Sequence, residues 1–385
     1  MTTSPTLKTV KELAVHEPGA PVLSIHLLTD PRDPANTSHS PAWQIDLRNG
    51  LRAIEERLDA DGADRDERLW LRDTAKEIEE RIEDLEPAER GRSLSFFRST
   101  DGSLDLLLTS QLPLRESVVA WDRRPVIGPL VEIAYRGAPL GLVLVDGDEV
   151  RLVHLEGGHA SVPEDSVYEL ELHAWRKDRQ GPGGAGHRSV ATHTDRVDAH
   201  AEKHQKRFMA EAAEAISNRL PELGWQRFAL IASVGTLDLV RDHLSQDVRQ
   251  RIVGVHEGHI TGLAPQEVAD HLEEEIDAML RVLSEETVEQ AIGSSAASGA
   301  GATGVAEVLD ALAQGRVDKL VYSPTLEISP DQVGPQVRAA LGEVADDMWL
   351  ERAIEHAVET DAAPSVLSGD DRLEQAGGIV ATLRW

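Results

Sequence analysis

The chain has 385 residues, 41% of them hydrophobic, with 39 Lys and Arg against 68 Asp and Glu and a formal net charge of −29. That length allows two or three domains, each with its own core. The absence of cysteine excludes a disulfide framework, a thiolate metal site and a cysteine nucleophile, and the acid surplus argues against indiscriminate nucleic-acid binding, because most of the surface repels phosphate.

The opening MTTSPTLKTVKEL lacks the apolar run of a signal peptide, and no stretch approaches the length of a membrane span, so the expected compartment is the cytoplasm. A first domain is expected over residues 1–134. Alternation over Pro21–Leu27 predicts a strand, and PRDPANTSHSPAW a Pro- and Ser-rich loop. Leu47, Leu51, Ile54 and Leu58 recur at helical spacing between Asp46 and Asp59. Leu69, Leu71, Ile78 and Ile82 do the same between Glu67 and Leu85, which predicts an antiparallel helix pair across the DADGAD turn. SLSFFRS and DLLLTSQL, separated by Thr100-Asp101-Gly102, read as a hairpin. The pair Arg123-Arg124 reads as solvated surface.

A second domain is expected over 135–262. Strands at Gly141–Val145 and Val150–Leu155 flank Asp146-Gly147-Asp148, a strong hairpin signal. A third strand follows from Val167 to Trp175, then a glycine-rich loop, a helix from Asp195 to Arg219, a buried strand at Phe228–Ser233, a helix at Thr236–Leu244 and a strand at Ile252–Val255. A third domain is expected over 263–385. It begins with a long acidic helix from Ala264 to Glu289, followed by a small-residue loop from Gly293 to Gly304. A helix at Val305–Gln314 and strands at Lys319–Ser323 and Gly377–Leu383 complete it. Strands in meander followed by alternating helix and strand imply mixed α/β sheets.

Three patterns invite a chemical reading. Gly299-Ala-Gly301-Ala-Thr-Gly304 matches the dinucleotide fingerprint, but that motif must follow a strand and needs an acidic residue on the second strand. A flexible connector is the better reading, and no cofactor is expected. His200 and His204 lie four apart on a helix, with His187 and His193 upstream, a spacing that can serve one metal ion. His204 is also in register with Ala201 and Phe208, which fits a buried stripe, and no metal is expected. No nucleophile elbow, phosphate-binding G-K-[ST] loop or H-E-x-x-H occurs.

The third pattern is the segment His173–Arg207, which holds eight Lys and Arg against four acids, leaving 31 basic and 64 acidic residues elsewhere. Arg176, Lys177, Arg179 and Arg188 lie in or beside a loop containing Gly183, Gly184, Ala185, Gly186 and His187. Arg196, Lys203, Lys206 and Arg207 recur along the following helix. Glycines let a backbone approach another surface closely, and five histidines add hydrogen-bonding groups without permanent charge. RNA best uses that combination.

The order VLVDGDEVRLVHLEGG, RQGPGGAGHRSV, RVDAHAEKHQKRFMAEAAEAI and RFALIASV resembles the middle domain of the archaeo-eukaryotic peptide-release-factor and Pelota superfamily. ASGAGATGVAEVLDALAQGRVDKLVYSPTLEI is similar to the start of that superfamily's C-terminal domain. The resemblance covers roughly 135–330 and points to the bacterial branch that includes the ribosome-hibernation factor Balon. It implies an elongated, three-domain α/β protein that occupies the ribosomal A site, its loop reaching the RNA of the peptidyl-transferase centre. In release factors that loop carries Gly-Gly-Gln, whose glutamine helps place the attacking water. Here Gly183 and Gly184 match, and Ala185 stands at the glutamine position. An alanine side chain can bond neither water nor oxyanion, so no catalytic residue is assigned. The function so implied is ribosome hibernation under stress, acting by occupancy. The C-terminal domain, acidic in Glu273, Glu274, Glu275 and Asp277, is by the same resemblance a candidate docking surface for a ribosomal protein or translational GTPase. Neither DNA nor membrane is an expected partner. Alternatives are a rescue factor that hydrolyses peptidyl-tRNA, with Gln180 or His187 involved, and a metal-dependent hydrolase or nuclease built on the histidines.

Overall fold

The structure is a computed structural model. It describes all residues except 1–4, 17–18, 63, 147–148, 170–189, 259, 261, 298, 343 and 346, and all side chains but those and the ones at 87–88, 190–205, 234 and 296–297. Three mixed or antiparallel sheets, each flanked by helices, make the α/β class expected from the sequence.

The chain begins with α1 (Leu7–Ala14), β1 (Val22–Leu28), α2 (Ala42–Ala60), α3 (Arg65–Glu83) and the short α4 (Pro87–Arg90). β2 (Ser93–Ser99), β3 (Asp105–Ser110), β4 (Val118–Asp122) and α5 (Gly128–Arg136) follow. The strands form an antiparallel sheet in the order β3-β2-β1-β4. Leu23, Ile25 and Leu27 of β1 share a core with Trp43, Leu47 and Ile54 of α2 and Leu71, Ile78 and Ile82 of α3. α2 starts four residues before the periodic run because Trp43 joins that core behind Pro41. Leu69, expected on the apolar face of α3, is instead 55% exposed. The helix pair is laced by Arg72–Glu55 at 2.6 Å, Arg68–Asp59 at 2.6 Å and Arg48–Glu79.

β1 is buried on both faces, so its polar residues must be satisfied inside. The Val126 N–H donates to Ser24 Oγ at 3.0 Å. The Val126 carbonyl, which can only accept, lies 2.8 Å from His26 Nε2, so Nε2 carries the proton and Nδ1 accepts from the Ser95 hydroxyl at 2.9 Å. Burial lowers the His26 imidazole to about 4, against the opposing pull of the Val126 carbonyl.

The middle unit, Pro139–Met279, contains β5 (Leu140–Val145), β6 (Glu149–Glu156), β7 (His159–Ser161), β8 (Val167–Glu169) and α6 (Val190–Glu222). Then come β9 (Phe228–Ala232), α7 (Val234–His243), α8 (Gln246–Arg249), β10 (Ile252–Glu257) and α9 (Pro265–His271). Its sheet runs β10-β9-β5-β6-β7, with β8 also paired to β6. The β10/β9 and β9/β5 pairs are parallel and the others antiparallel. The expected single acidic helix is two elements, α9 and α10 (Glu273–Ala297), separated at Leu272, whose side chain is buried.

The remaining chain adds β11 (Gly301–Thr303), α11 (Gly304–Ala313), β12 (Val317–Tyr322), α12 (Pro335–Leu341), α13 (Trp349–Glu359), β13 (Ala363–Val366), α14 (Asp371–Gln375) and β14 (Ile379–Leu383). Their sheet has the order β11-β14-β12-β13. Met1–Ala138 and Leu280–Trp385 together form one compact unit. In it Val10 and Leu13 of α1 and Leu130 and Val131 of α5 share a core with Val308 of α11 and Ile354 and Val358 of α13.

Two expectations in this unit are corrected. The supposed loop Gly293–Gly304 is helical to Ala297 and a strand over Gly301–Thr303. A Cβ on Gly301 would sit 2.1 Å from the Ala291 carbonyl oxygen, so the glycine lets strand meet helix. Arg124, read as solvated, is about one-third exposed and reaches Glu355 at 2.7 Å. Glu355 also pairs with Arg352 at 2.7 Å, and Glu359 lies 3.1 Å from Arg352 and 3.0 Å from His356. Burial pushes the Glu355 carboxyl up against the pull of both arginines. Beside it, Glu351 accepts the N–H groups of Ile127 and Gly128, and burial raises its carboxyl to about 7.

Among the described residues no helix is long and apolar enough to cross a membrane.

Candidate functional site

The candidate site is carried by the connection from β8 to α6. Arg176, Lys177, Arg179, Gly183, Gly184, Ala185, Gly186, His187 and Arg188 lie outside the described residues. So do Gln180, the predicted strand beyond Glu169, and the side chains at 193, 196, 200, 203 and 204. What the structure describes is the base on which this segment stands.

That base is α6, 33 residues long, about 50 Å at 1.5 Å per residue. Phe208, Met209, Ala212, Ala213, Ile216 and Leu220 are buried in the core formed with Val143 of β5, Leu152 of β6 and Phe228 and Leu230 of β9. Each large member contributes about 1.5–3 kcal/mol of apolar transfer. At 3.6 residues per turn, positions 196, 203 and 207 share one face of α6, opposite 209, 212, 216 and 220. Lys206 and Arg207 are exposed, and Arg207 makes an i,i+4 pair with Glu211 at 2.8 Å. An exposed pair of that kind is worth only a few tenths of a kcal/mol, so it leaves the guanidinium available to a stronger anion.

The C-terminal end of α6 is clamped. The Trp225 indole N–H donates to His154 Nδ1 at 2.7 Å, and the two rings stack with centroids 6.1 Å apart. Since Nδ1 accepts, the His154 proton sits on Nε2, 3.3 Å from Glu156 Oε2. A Cβ on Gly141 would fall 2.1 Å from Trp225 Cε3, so this strand position must lack a side chain. Arg219 donates to the Glu164 carbonyl at 2.7 Å, tying the helix to the chain that leads into β8. Burial pushes the phenol of Tyr168, in β8, above its ordinary range, with Arg219 pulling the other way.

A second cationic locus, not singled out from the sequence, lies beside the β10 edge of the same sheet. Arg241 of α7 and Arg249 of α8 line a groove beside β10. Nothing in the linear sequence separates them from other surface arginines. Among the described residues no three His, Asp or Glu gather as metal ligands.

Residues 140–272, nearly all of the middle unit, match the family described as bacterial archaeo-eukaryotic release factor family 12. The middle unit is thus similar to release-factor domains of the bacterial branch. The clamp of Gly141, His154 and Trp225, the packed half of α6 and the Arg241–Arg249 groove all lie within the matched stretch. Among solved structures, the chain is similar to the archaeal translation termination factor aRF1, at 16% identity over 99% of this chain and 98% of that one, with a TM-score of 0.26. It is also similar to Archaeoglobus fulgidus Pelota, at 11% identity over 76% and 84%, TM-score 0.34. A third likeness is to S. cerevisiae Dom34, a translation termination-like factor, at 10% identity over 73% and 72%, TM-score 0.38. These superpositions are loose, and the similarity rests on the match over 140–272. A comparison with curated proteins finds no match.

Proposed function

We propose that this protein is a ribosome-binding translation factor that occupies the A site and serves in ribosome hibernation under stress, without catalysing peptide release. The observation that carries the reading is the release-factor match over 140–272, where the Gly183-Gly184 pair is followed by Ala185. Glutamine supplies an amide that can hold a water against an ester; alanine supplies none. The cationic residues Arg176, Lys177, Arg179 and Arg188 would meet rRNA of the peptidyl-transferase centre, and the face of α6 bearing positions 196, 203 and 207 would follow neighbouring phosphates. The acidic start of α10, with Glu273, Glu274, Glu275 and Asp277, is the surface proposed for a ribosomal protein or a translational GTPase.

The experiment is co-sedimentation with 70S ribosomes and separated subunits over a salt series. Binding should weaken steeply with salt. Replacing Arg176, Lys177, Arg179 and Arg188 by alanine should lower the log–log salt slope by about 3, the counterion release expected of four phosphate contacts. Unchanged sedimentation of that variant would remove the basic loop from the interface. Peptide release from a model peptidyl-tRNA on the bound ribosomes would turn the reading from hibernation to rescue.

A further inference from the structure

One edge of the middle sheet, although its strand packs against Met279 and Glu275 of α10 through Gly254 and His256, meets no further strand among the described residues. β10 pairs only with β9, on its inner side, so its outer backbone N–H and C=O groups meet no strand among the described residues. Such an edge is a template for another strand, and proteins usually blunt it with lysine, proline or a covering element. β10 contains neither Lys nor Pro over its six residues, and Val255 is 43% exposed. A bulge between Ile252 and Gly254 is its one irregularity.

Beside this edge lies a groove of about 230 Å³ lined by Arg241, Arg249, Ile252, Val253, Gly254 and Val255. Both arginines are exposed, and neither guanidinium has an ion pair or hydrogen bond among the described residues. Their neighbour Arg251, by contrast, is held by Asp247 at 3.0 Å. Two unpaired cations on one rim stand out in a chain with 68 acids against 39 bases. The groove is smaller than the roughly 300 Å³ at which small-molecule sites begin. A backbone edge beside two cations fits an extended peptide bearing carboxylates. The edge supplies main-chain hydrogen bonds and the arginines select side-chain charge. RNA would satisfy the arginines and leave the strand edge unpaired. A second copy docking edge to edge would bring four guanidinium groups to one seam.

We propose that the β10 edge receives an extended acidic segment of a partner protein, which adds a strand to the middle sheet and places its carboxylates on Arg241 and Arg249. This surface is separate in sequence from residues 176–207 proposed for RNA, so it stands or falls apart from the ribosome reading.

The test uses the full chain and a fluorescein-labelled decapeptide of alternating Glu and Val, a second peptide with Gln for Glu, and a ten-nucleotide oligouridylate. Binding is read by anisotropy and by amide hydrogen exchange over 252–257. The acidic peptide should bind and slow exchange in β10. The exchange of Glu for Gln in the peptide, or Arg241→Glu with Arg249→Glu in the protein, should weaken it about tenfold, the loss of two charge pairs of the order of those at exposed sites. Both arginines are exposed, so circular dichroism of the double variant should match the parent. No binding of the acidic peptide, equal binding by the charge-reversed variant, or protection outside β10 would overturn the proposal. So would oligouridylate binding that the double variant abolishes, which would make the groove a nucleic-acid site, or a concentration-dependent dimer lost in the same variant.

Discussion

Gly141→Ala tests whether the Trp225 clamp is a load-carrying joint of the middle unit. The added methyl would lie 2.1, 2.4 and 2.5 Å from Cε3, Cζ3 and Cδ2 of Trp225, distances that no rotamer of alanine can relieve. Trp225 is 1% exposed and cannot move outward without breaking its 2.7 Å bond to His154. Overpacking a core typically costs about 1–3 kcal/mol and a lost hydrogen bond about 0.5–1.5 kcal/mol, together about 2–4 kcal/mol. For a domain of this size that lowers the Tm by about 10 °C. Scanning calorimetry of the full chain should show the loss in one transition, with near-UV circular dichroism reporting the displaced indole. Trp225→Phe shortens the ring that the methyl meets, so Gly141→Ala should cost at least about 1 kcal/mol less in that background. A Tm within a degree or two of the parent, or strict additivity of the two substitutions, would refute the contact as described.

Two further outcomes follow from the other unit. His26 titrates near 6.5 when unfolded and near 4 when buried, so between those values the unfolded chain binds more protons. Its contribution is therefore lost as pH falls from 6.5 through 4, by roughly 3 kcal/mol at 1.36 kcal/mol per unit. Urea unfolding of His26→Gln should show a correspondingly flatter acid limb; identical limbs in both proteins would show that the imidazole is not the group responsible. Arg124→Ala removes one of the two arginines on Glu355, which is 3% exposed, and should cost about 1.5–3 kcal/mol as a lost charged hydrogen bond. A double-mutant cycle with Glu355→Gln should give a coupling above about 0.5 kcal/mol, and a smaller value would mean that the pair does not act together.

Much of the fold was legible because local signals agreed. The hairpin between Ser99 and Asp105 and the helix pair on β1 each carry their own periodicity. β4 is too short to show a period of its own, and α5 went unread although Ile127, Leu130, Val131 and Ala134 recur at helical spacing before Gly137. The N–H groups of Ile127 and Gly128 at the start of α5 meet Glu351, more than two hundred positions away. Arg124 finds Glu355 over a similar distance, which is why a pair of adjacent arginines looked like surface. The small-residue run after Gly293 mixes helix-favouring alanines with glycines and serines that favour turns, so its propensities conflict. Its helix and strand exist because Ala291 is buried and Gly301 can approach its carbonyl.

For the candidate site the balance is reversed: its chemistry is written in the loop sequence, and its mechanical support is not. Ala185 after Gly183-Gly184 can be read without coordinates, whereas nothing local announces that Gly141 must be bare because Trp225 lies on it. α6 joins the two. From Phe208 to Leu220 its buried side chains fix it to the sheet, and the Trp225 clamp holds its far end. The cationic positions 196, 203 and 207 lie upstream of that packed stretch or on its opposite face, where charge has no role in the core. Changing Lys206 or Arg207 therefore leaves the packing intact, and changing Gly141 leaves the charge intact. If α6 serves the proposed RNA contact, the first class of variant alters ribosome affinity with its salt slope at constant Tm. The second lowers Tm while the salt slope of the folded fraction stays constant.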